Sequence, residues 1–377
     1  MKKIAFVNNQ IFSPWGGSEV LWYETALRLR KEGHRIEVYF PKWPQLPKEA
    51  IVLEKAGCCV TYYPFVRNLR EKLIANLPFG FLKQDPLKMR KEWLEQAKPD
   101  LLVLTDLLPR GKEWMRIASE AKVPYVMIGQ LADETLWHSA EELQDSDILY
   151  AKAAKVFVLS QENKIALFKQ LGKTLSNVET VYNPFQVNIH QPFSYPPLQN
   201  GKVHLACVAR FGIEHKRQDI LLEILADPKW RNRNIHLNLY GRGTHEQSLR
   251  NLVQYYDLDN VSFCGHVSDV NEIWEKNHAL VLPSRYEGVS LAFQEALISY
   301  RVCIVTQVGG VSHMVRDNET GFVAAAATTP LFEEALERAW QRVEEWETIG
   351  QEAGKRARSL LPSDPIDYFM NNLLQLI

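Results

Sequence analysis

The sequence predicts an α/β protein made of two doubly wound, parallel-sheet domains. Short apolar runs rich in Val, Ile and aromatic residues alternate with longer segments of helical periodicity, which is the pattern of βαβ units. The chain has 377 residues, enough for two domains at roughly 150 residues each. The strand–helix series is interrupted once, at the Pro-, Asn- and Gln-rich stretch 183–201.

The apolar runs predict strands in both halves of the chain. In the first half they are Lys3–Asn8, Arg35–Phe40, Cys59–Tyr63, Leu101–Thr105, Tyr125–Ile128 and Val156–Ser160. In the second half they are Val203–Val208, Ile235–Tyr240, Val261–Cys264, Ala279–Pro283 and Val302–Thr306. Buried parallel strands are apolar on both faces, and the runs 101–104 and 279–282 have this character.

The interruption divides the chain into domains. We expect a first domain over 1–186, a linker over 187–200 and a second domain over 201–361. The last segment, 362–377, has an apolar helix pattern. This helix could dock on either domain, and we expect it to pack back on the first.

Composition and charge exclude several classes of protein. The chain is 46% hydrophobic and 24% charged, with 44 basic and 45 acidic residues. These values are typical of globular proteins, and the even balance of basic and acidic residues argues against a dedicated nucleic-acid-binding protein. No apolar run approaches the ~20 residues of a membrane-spanning helix, and no signal peptide is evident. The five cysteines form no disulfide framework, so we expect a soluble cytoplasmic protein with reduced thiols.

The strongest motif is a pair of carboxylates, Glu287 and Glu295, around the start of a helix that follows a strand. Backbone N–H groups near Ser290 and Leu291 would face the loop and offer an anion site. The carboxylates cannot bind phosphate, but they can accept hydrogen bonds from hydroxyls. The combination suits a sugar nucleotide. The alternative, a capping Glu287 and a solvated Glu295, stays open.

Two further loops follow strands. Arg210 and Lys216 lie in a loop after Val203–Val208 and could neutralise a diphosphate, or they could belong to an exposed basic loop. Gly16 and Gly17 lie between the first strand and a helix, where glycine permits close approach of a ligand. The alternative there is a plain turn with Ser18 as N-cap. The glycine spacing is not the GxGxxG of dinucleotide-binding proteins, which argues against an enzyme that uses a nicotinamide cofactor.

Taken together, these motifs resemble the family 4 retaining glycosyltransferases, which have the GT-B fold of two Rossmann-like domains facing a cleft. The resemblance covers nearly the whole chain and depends on order and spacing. Besides the motifs above, it includes Asn183-Pro184, Tyr240-Gly241-Arg242-Gly243, Gly265-His266-Val267, Gly309-Gly310 and Glu319-Thr320-Gly321.

The resemblance implies roles for individual residues. Glu287 would bind donor-sugar hydroxyls, Glu295 the ribose, and Arg210 with Lys216 the diphosphate; Glu287, Arg210 and Lys216 are the expected catalytic residues. The other expected donor-binding residues are Gly16, Gly17, Gly241, His266, Val267, Gly288, Ser290 and Leu291. Residues 8–19, 210–217 and 287–295 would converge in the cleft. On the acceptor side we expect Ser18 and Gln130, the latter near the position where many members carry a His.

The implied activity is transfer of a sugar from a nucleotide diphosphate sugar to a hydroxyl acceptor, with retention at the anomeric carbon. A UDP-sugar is the default donor, and the acceptor is a saccharide, a lipid-linked molecule or a small molecule. We expect no cofactor and no required metal. Two alternatives stay open: a catalytically silent nucleotide-sugar-binding subunit and a GT-B-fold epimerase.

The segment Tyr62–Lys91 suggests a peripheral membrane contact. It interleaves aromatic residues with seven basic ones, which could lie on anionic lipid. An ordinary helix pair with core aromatics is the alternative. The basic residues are Arg67, Arg70, Lys72, Lys83, Lys88, Arg90 and Lys91.

Overall fold

The computed structural model describes residues 1–10, 14–64, 85–131, 137–189, 193–198 and 201–377. The chain divides into two compact units. The first consists of Met1–Leu159, Asn163–Pro184 and Asp364–Ile377, and the second of Ser160–Glu162 and Phe185–Ser363. Each unit is built on one parallel sheet, so the predicted α/β class with two Rossmann-like domains is confirmed.

The first unit contains a seven-stranded sheet in the order β3-β2-β1-β4-β5-β6-β7. Its strands are β1 Lys3–Val7, β2 Arg35–Pro41, β3 Cys59–Tyr63, β4 Leu101–Leu104, β5 Tyr125–Gly129, β6 Lys155–Val158 and β7 Val178–Thr180. All neighbouring strands are parallel. The strand order reverses between β1 and β4, which makes the carboxyl edge of these two strands a topological switch point.

Helices connect the strands of the first unit. They are α1 Val20–Lys31, α2 Lys48–Lys55, α3 Pro86–Ala97, α4 Lys112–Glu120, α5 Ala140–Leu143, α6 Ser146–Lys152 and α7 Gln161–Leu171, and a 3-10 turn at Gly17–Glu19 precedes α1. The four residues of β4 are fully buried, as a strand covered by helices on both faces requires.

The second unit contains a six-stranded sheet in the order β10-β9-β8-β11-β12-β13. Its strands are β8 Val203–Val208, β9 Ile235–Tyr240, β10 Val261–Gly265, β11 Ala279–Leu282, β12 Val302–Thr306 and β13 Phe322–Ala324. These strands are also parallel to their neighbours. Here the switch point lies between β8 and β11.

The helices of the second unit cover both faces of its sheet. They are α8 Ile213–Lys216, α9 Gln218–Ala226, α10 Pro228–Arg231, α11 Glu246–Tyr255, α12 Asn271–Trp274, α13 Leu291–Ile298, α14 Val311–Met314, α15 Thr329–Trp340 and α16 Trp346–Leu360, with a 3-10 turn at Val343–Glu345. Helix α13 is buried nearly all round, which fits its mainly apolar sequence; Gln294 and Glu295 are buried polar exceptions.

The last helix, α17 Pro365–Leu374, belongs to the first unit. Asp364 caps it by accepting hydrogen bonds from two backbone N–H groups, and the same carboxylate pairs with Arg28 of α1. Phe369 packs edge-on against Phe157 of β6 at 5.2 Å between ring centroids. An apolar face and a charged contact together attach this helix to the first sheet.

Two strands were not predicted from the sequence. Strands β7 and β13 have three residues each and lie at the ends of their sheets. Runs this short carry no readable alternation, and they pair on one side only.

Two further expectations concern membranes and thiols. Within the described ranges no helix is long and apolar enough to cross a membrane. Most of the predicted membrane-contact segment, residues 65–84, lies outside the described residues. All five cysteines are unpaired.

Candidate functional site

The carboxyl edge of the second sheet brings together the loops that follow β8 and β11, on either side of the switch point. Helix α8 lies in the first of these loops, and Arg285 begins the part of the second that contains Glu287. The Arg285 N–H donates a hydrogen bond of 2.8 Å to the His215 carbonyl. The two loops are therefore joined through their backbones beside the switch point.

Glu287 forms an ion pair with Lys216 across these loops. Its second carboxylate oxygen lies 3.8 Å from Nε2 of His215. The same ring nitrogen lies 2.7 Å from the Tyr286 carbonyl, and the imidazole stacks on the Tyr286 ring at 4.3 Å. Both partners of the ion pair are largely buried, with side-chain exposures of 14% for Lys216 and 11% for Glu287.

These partners decide the charge of Glu287. Burial alone would raise the pKa of its carboxyl, but the Lys216 ammonium and the neighbouring His215 outweigh burial and lower the pKa to about 2. Glu287 is thus ionised throughout the neutral range. An ionised carboxylate only accepts hydrogen bonds, so Glu287 can accept hydrogen bonds from hydroxyls but cannot act as a proton donor.

Glu295 has the opposite environment. It lies in α13 and is only 4% exposed, and its carboxylate accepts a 3.1 Å hydrogen bond from the Gln186 N–H. Burial raises its pKa to about 7, and the bond from Gln186 only partly offsets the shift. The alternative of a solvated helix residue is wrong, because the side chain is buried.

The start of α13 lies between these two carboxylates. Ser290 is the N-cap residue, and its side chain makes no capping hydrogen bond. The first N–H groups of a helix have no partner within the helix, so they remain available to an anion. A small cavity at this point is lined by Glu287, Ser290, Thr306 and Gly310, among others.

Two glycines allow the neighbouring turns to pack closely. At Gly241 φ is +136°, and a Cβ would lie 2.1 Å from the Ala209 carbonyl oxygen. At Gly309 φ is +56°, and a Cβ would lie 2.2 Å from the Gly288 carbonyl oxygen. A side chain at either position would displace the loops after β8 and β11.

The remaining predicted residues of the second unit lie along the same edge. Arg210 follows β8 and is exposed. Gly241 follows β9, and its N–H donates to the carbonyl of Gly265, which precedes His266 and Val267. The carboxyl ends of parallel strands lie at the same edge of a sheet, so these residues lie at the same edge of the second unit as Lys216 and Glu287.

The predicted residues of the first unit lie at the carboxyl edge of its own sheet. Ser18 does not cap α1; its hydroxyl donates to the Glu19 carboxylate at 2.7 Å. Gln130 follows β5 and forms a reciprocal amide pair with Asn183, at 3.2 and 2.8 Å. Gly16 and Gly17 lead into the 3-10 turn before α1.

Three residues of interest were missed by sequence reasoning. His215 and Gln186 contact Glu287 and Glu295 from distant parts of the chain, and no local pattern signals such contacts. Glu19 stands in the Gly16–Glu19 stretch that the resemblance had already marked. Its burial was not predicted, because a carboxylate just before a helix is usually solvated.

No group of three or more His, Cys, Asp or Glu side chains suited to a metal occurs among the residues that the structure describes. At the β8–β11 switch point the charged pair Lys216 and Glu287 lies beside the His215 imidazole. Their chemistry is that of hydroxyl and phosphate recognition by side chains and backbone amides.

Comparison with known proteins identifies the family. Residues 202–342 match the model of the glycosyl transferases group 1, and residues 15–188 match that of glycosyltransferase family 4. The two matches together cover most of the chain, and both agree with the fold. The chain belongs to the family 4, group 1 glycosyltransferases.

Individual relatives are distant. An uncharacterized glycosyltransferase of Haemophilus influenzae is 27% identical over 337 residues, 86% of each chain. The poly(ribitol-phosphate) alpha-N-acetylglucosaminyltransferase of Staphylococcus aureus is 25% identical over 170 residues, 45% of this chain; the match spans only 33% of that relative's length. The crystal structure of Anabaena Alr3699/HepE in complex with UDP has a TM-score of 0.76 at 16% identity, with complete coverage of both chains. That likeness establishes the GT-B fold.

Proposed function

We propose that this glycosyltransferase is a retaining, metal-independent enzyme that transfers a sugar from a nucleotide diphosphate sugar, by default a UDP-sugar, to the hydroxyl of a saccharide, lipid-linked or small-molecule acceptor. The observation that supports this most is the pairing of Glu287 with Lys216 beside the start of α13, where the Ser290 side chain makes no capping hydrogen bond. A carboxylate that can accept hydrogen bonds from hydroxyls, a cation and the N-terminus of a helix meet at one switch point. A sugar linked to a diphosphate requires this combination.

In the proposed complex the second unit holds the donor. Glu287 accepts hydrogen bonds from sugar hydroxyls, while the Glu295 carboxyl faces the ribose. One N–H of the Lys216 ammonium is used by Glu287, and the others can bind a phosphate oxygen. Arg210 adds a second cation, and the N–H groups near Ser290 and Leu291 complete the diphosphate site.

The reaction breaks the bond between the anomeric carbon and the β-phosphate oxygen. Negative charge develops on the departing diphosphate, where Lys216, Arg210 and the helix start stabilise it without reorganising. The acceptor oxygen bonds to the anomeric carbon on the face that the phosphate leaves, and the departing phosphate takes the acceptor's proton. This route gives retention and requires no carboxylate nucleophile. The cationic side chains supply the charge stabilisation that a metal would otherwise provide.

The complex of Anabaena Alr3699/HepE with UDP-glucose supports the choice of donor class, since that protein has the same fold at 18% identity and a TM-score of 0.74. A thermal-shift panel of UDP, GDP, ADP and their sugars tests it here. A ligand at 100 times its Kd should stabilise the fold by about 2.7 kcal/mol. Donors that shift the unfolding temperature are then incubated with methyl glycosides, and the product's anomeric configuration is determined by NMR.

Matched variants give this test a control. Glu287→Gln should lower turnover about ten- to a hundredfold, because a hydrogen bond to a charged group is lost. Glu352→Gln, which removes an exposed carboxylate of α16 outside the proposed site, should leave turnover unchanged. Failure of every nucleotide sugar to bind would refute the proposal. Binding without turnover would indicate a silent subunit, and a new sugar nucleotide formed without acceptor would indicate an epimerase.

A further inference from the structure

The carboxyl edge of the first sheet contains a buried polar cluster at its own switch point. The chain leaves β1 through Asn8 and Asn9, and Glu19 precedes α1 on the return. The hydroxyl of Tyr63 donates to the Asn8 carbonyl at 2.9 Å, which fixes the end of β1. Crevices at such switch points are where open parallel sheets bind ligands.

Within the part of the chain that the structure describes, which leaves out residues 11–13, three side-chain atoms of this cluster are buried without a hydrogen-bond partner. They are Nδ2 of Asn8, Nδ2 of Asn9 and Oε2 of Glu19. The exposed fractions of the three residues are 0%, 7% and 4%, respectively. More than nine in ten buried polar groups in proteins are hydrogen-bonded, so three unpartnered atoms within twelve residues of sequence require an explanation. A ligand that supplies the missing partners provides one.

The neighbours of Glu19 are polar but uncharged. Its Oε1 accepts a bond from the Ser18 hydroxyl at 2.7 Å, and the Gln10 side chain and the Gly16 backbone also contribute hydrogen bonds. Burial raises the pKa of Glu19 to about 7, and these hydrogen bonds only partly offset the shift. The ionised form of this carboxyl, which predominates above pH 7, repels a phosphate, so the cluster is then unsuited to the donor's diphosphate.

An aromatic ring lies next to the cluster. Trp15 is half-buried, and its ring packs edge-on against Tyr23 at 5.1 Å and against Trp22 at 6.2 Å. These contacts hold the indole in one orientation. An indole face contacts the C–H face of a pyranose favourably, while the hydroxyls of the same ring bind polar groups.

We propose that Glu19, Asn8 and Asn9 bind the hydroxyls of an uncharged pyranose ring of the acceptor, with Trp15 contacting its apolar face. One hydroxyl donates to Oε2 of Glu19, and neighbouring hydroxyls accept hydrogen bonds from the two amides. The inference rests on the proposed function in that it assigns this sugar to the acceptor. It adds the class of acceptor, a neutral saccharide, and a residue that selects it.

Saturation-transfer NMR on the full chain tests the proposal with methyl α-D-glucopyranoside, methyl α-D-galactopyranoside and glucose 6-phosphate as probes. At pH 8, where Glu19 is mainly ionised, at least one methyl glycoside should bind, and glucose 6-phosphate should bind at least tenfold more weakly, because it brings a dianion beside Glu19. Glu19→Ala and Asn9→Ala should each weaken glycoside binding about tenfold. Glu24→Gln, on α1 but outside the cluster, should leave binding unchanged.

Unfolding temperatures of the variants identify any that misfold, and Glu19→Gln replaces Glu19→Ala where the truncation does not fold. Glycoside binding that survives both Glu19 and Asn9 variants, tighter binding of the sugar phosphate, or no glycoside binding would overturn the proposal. Thermal shifts with UDP on the same samples distinguish failure of this inference from failure of the proposed function. If UDP stabilises the unmodified chain but glycoside binding does not depend on Glu19, only this inference is refuted. If UDP does not stabilise the unmodified chain, the proposed donor site is refuted.

Discussion

Nucleotide-sugar binding should depend on pH through Glu295. In the free chain this carboxyl is buried, with a pKa raised to about 7 and one hydrogen bond, from Gln186. Ribose hydroxyls donate hydrogen bonds more strongly to the ionised carboxylate than to the neutral acid. The ligand therefore selects the ionised form, and binding releases a proton from the fraction of molecules that carry one.

The size of the effect follows from that pKa. With a pKa of about 7, the ionised fraction is about one in eleven at pH 6, one half at pH 7 and ten in eleven at pH 8. The apparent affinity scales with the fraction of the competent form. The Kd should therefore be about tenfold larger at pH 6 than at pH 8, and about half a proton should be released at pH 7.

Isothermal titration with a UDP-sugar measures both quantities. The sugar nucleotide is preferred to UDP, because the terminal phosphate of UDP itself titrates near pH 6. The comparison with Glu295→Gln isolates the contribution of this carboxyl. That variant should bind more weakly at pH 8 and lose the dependence. A flat profile in the unmodified chain, or an unchanged slope in Glu295→Gln, would refute the reasoning.

The remaining predictions concern the same unit. Glu287→Gln should mainly lower kcat and change discrimination among donor sugars, whereas Glu295→Gln should mainly weaken the binding of free nucleotide diphosphate. An equal loss of nucleotide affinity in the two variants would contradict the assignment. Turnover should persist in EDTA; loss restored by Mg²⁺ or Mn²⁺ would show that a metal is needed. Gly309→Ala should reduce UDP-sugar affinity because its Cβ would collide with the Gly288 carbonyl, whereas Gly201→Ala, also at positive φ but in open space, should not; titration of both variants decides. The raised pKa of Glu295 means that the folded chain loses stability as pH rises from about 4.5 to about 7. Glu295→Gln should therefore raise the free energy of unfolding at pH 8 by up to about 3 kcal/mol and change it little at pH 4.5. Equal effects of the substitution at the two pH values would contradict this.

The regular part of the fold could be predicted because its physics is local. Buried parallel strands must be apolar on both faces, so runs such as 101–104 and 279–282 identified the centre of each sheet. The edge strands β7 and β13 were missed because three residues with one neighbour need no such pattern. Strand order follows from contacts distant in sequence, and only the structure locates the switch points.

The candidate site, too, could be predicted only in part from the sequence. Local order placed Glu287 and Glu295 in a loop and a helix after a buried strand. It could not predict that Lys216, 71 residues away, neutralises one of them, or that the Gln186 N–H is the neighbour of the other. Nor could it predict the burial of Glu19, since a carboxylate before a helix is most often solvated. Charge states depend on such distant neighbours, and the chemistry of a carboxyl depends on its charge.

The two carboxylates of the motif illustrate that dependence. Both are buried, and burial raises the pKa of each. They differ because the loop after β8 brings Lys216 and His215 to Glu287, while Glu295 meets only a backbone N–H. A carboxylate that is ionised at every working pH can accept hydrogen bonds from the hydroxyls of a transferring sugar and keep its charge during the reaction. A group that titrates near neutrality instead couples ligand binding to proton release, which suits contact with a part of the donor that stays in place. The proposed assignment of Glu287 to the transferred sugar and Glu295 to the ribose is therefore consistent with the position of the Lys216 cation.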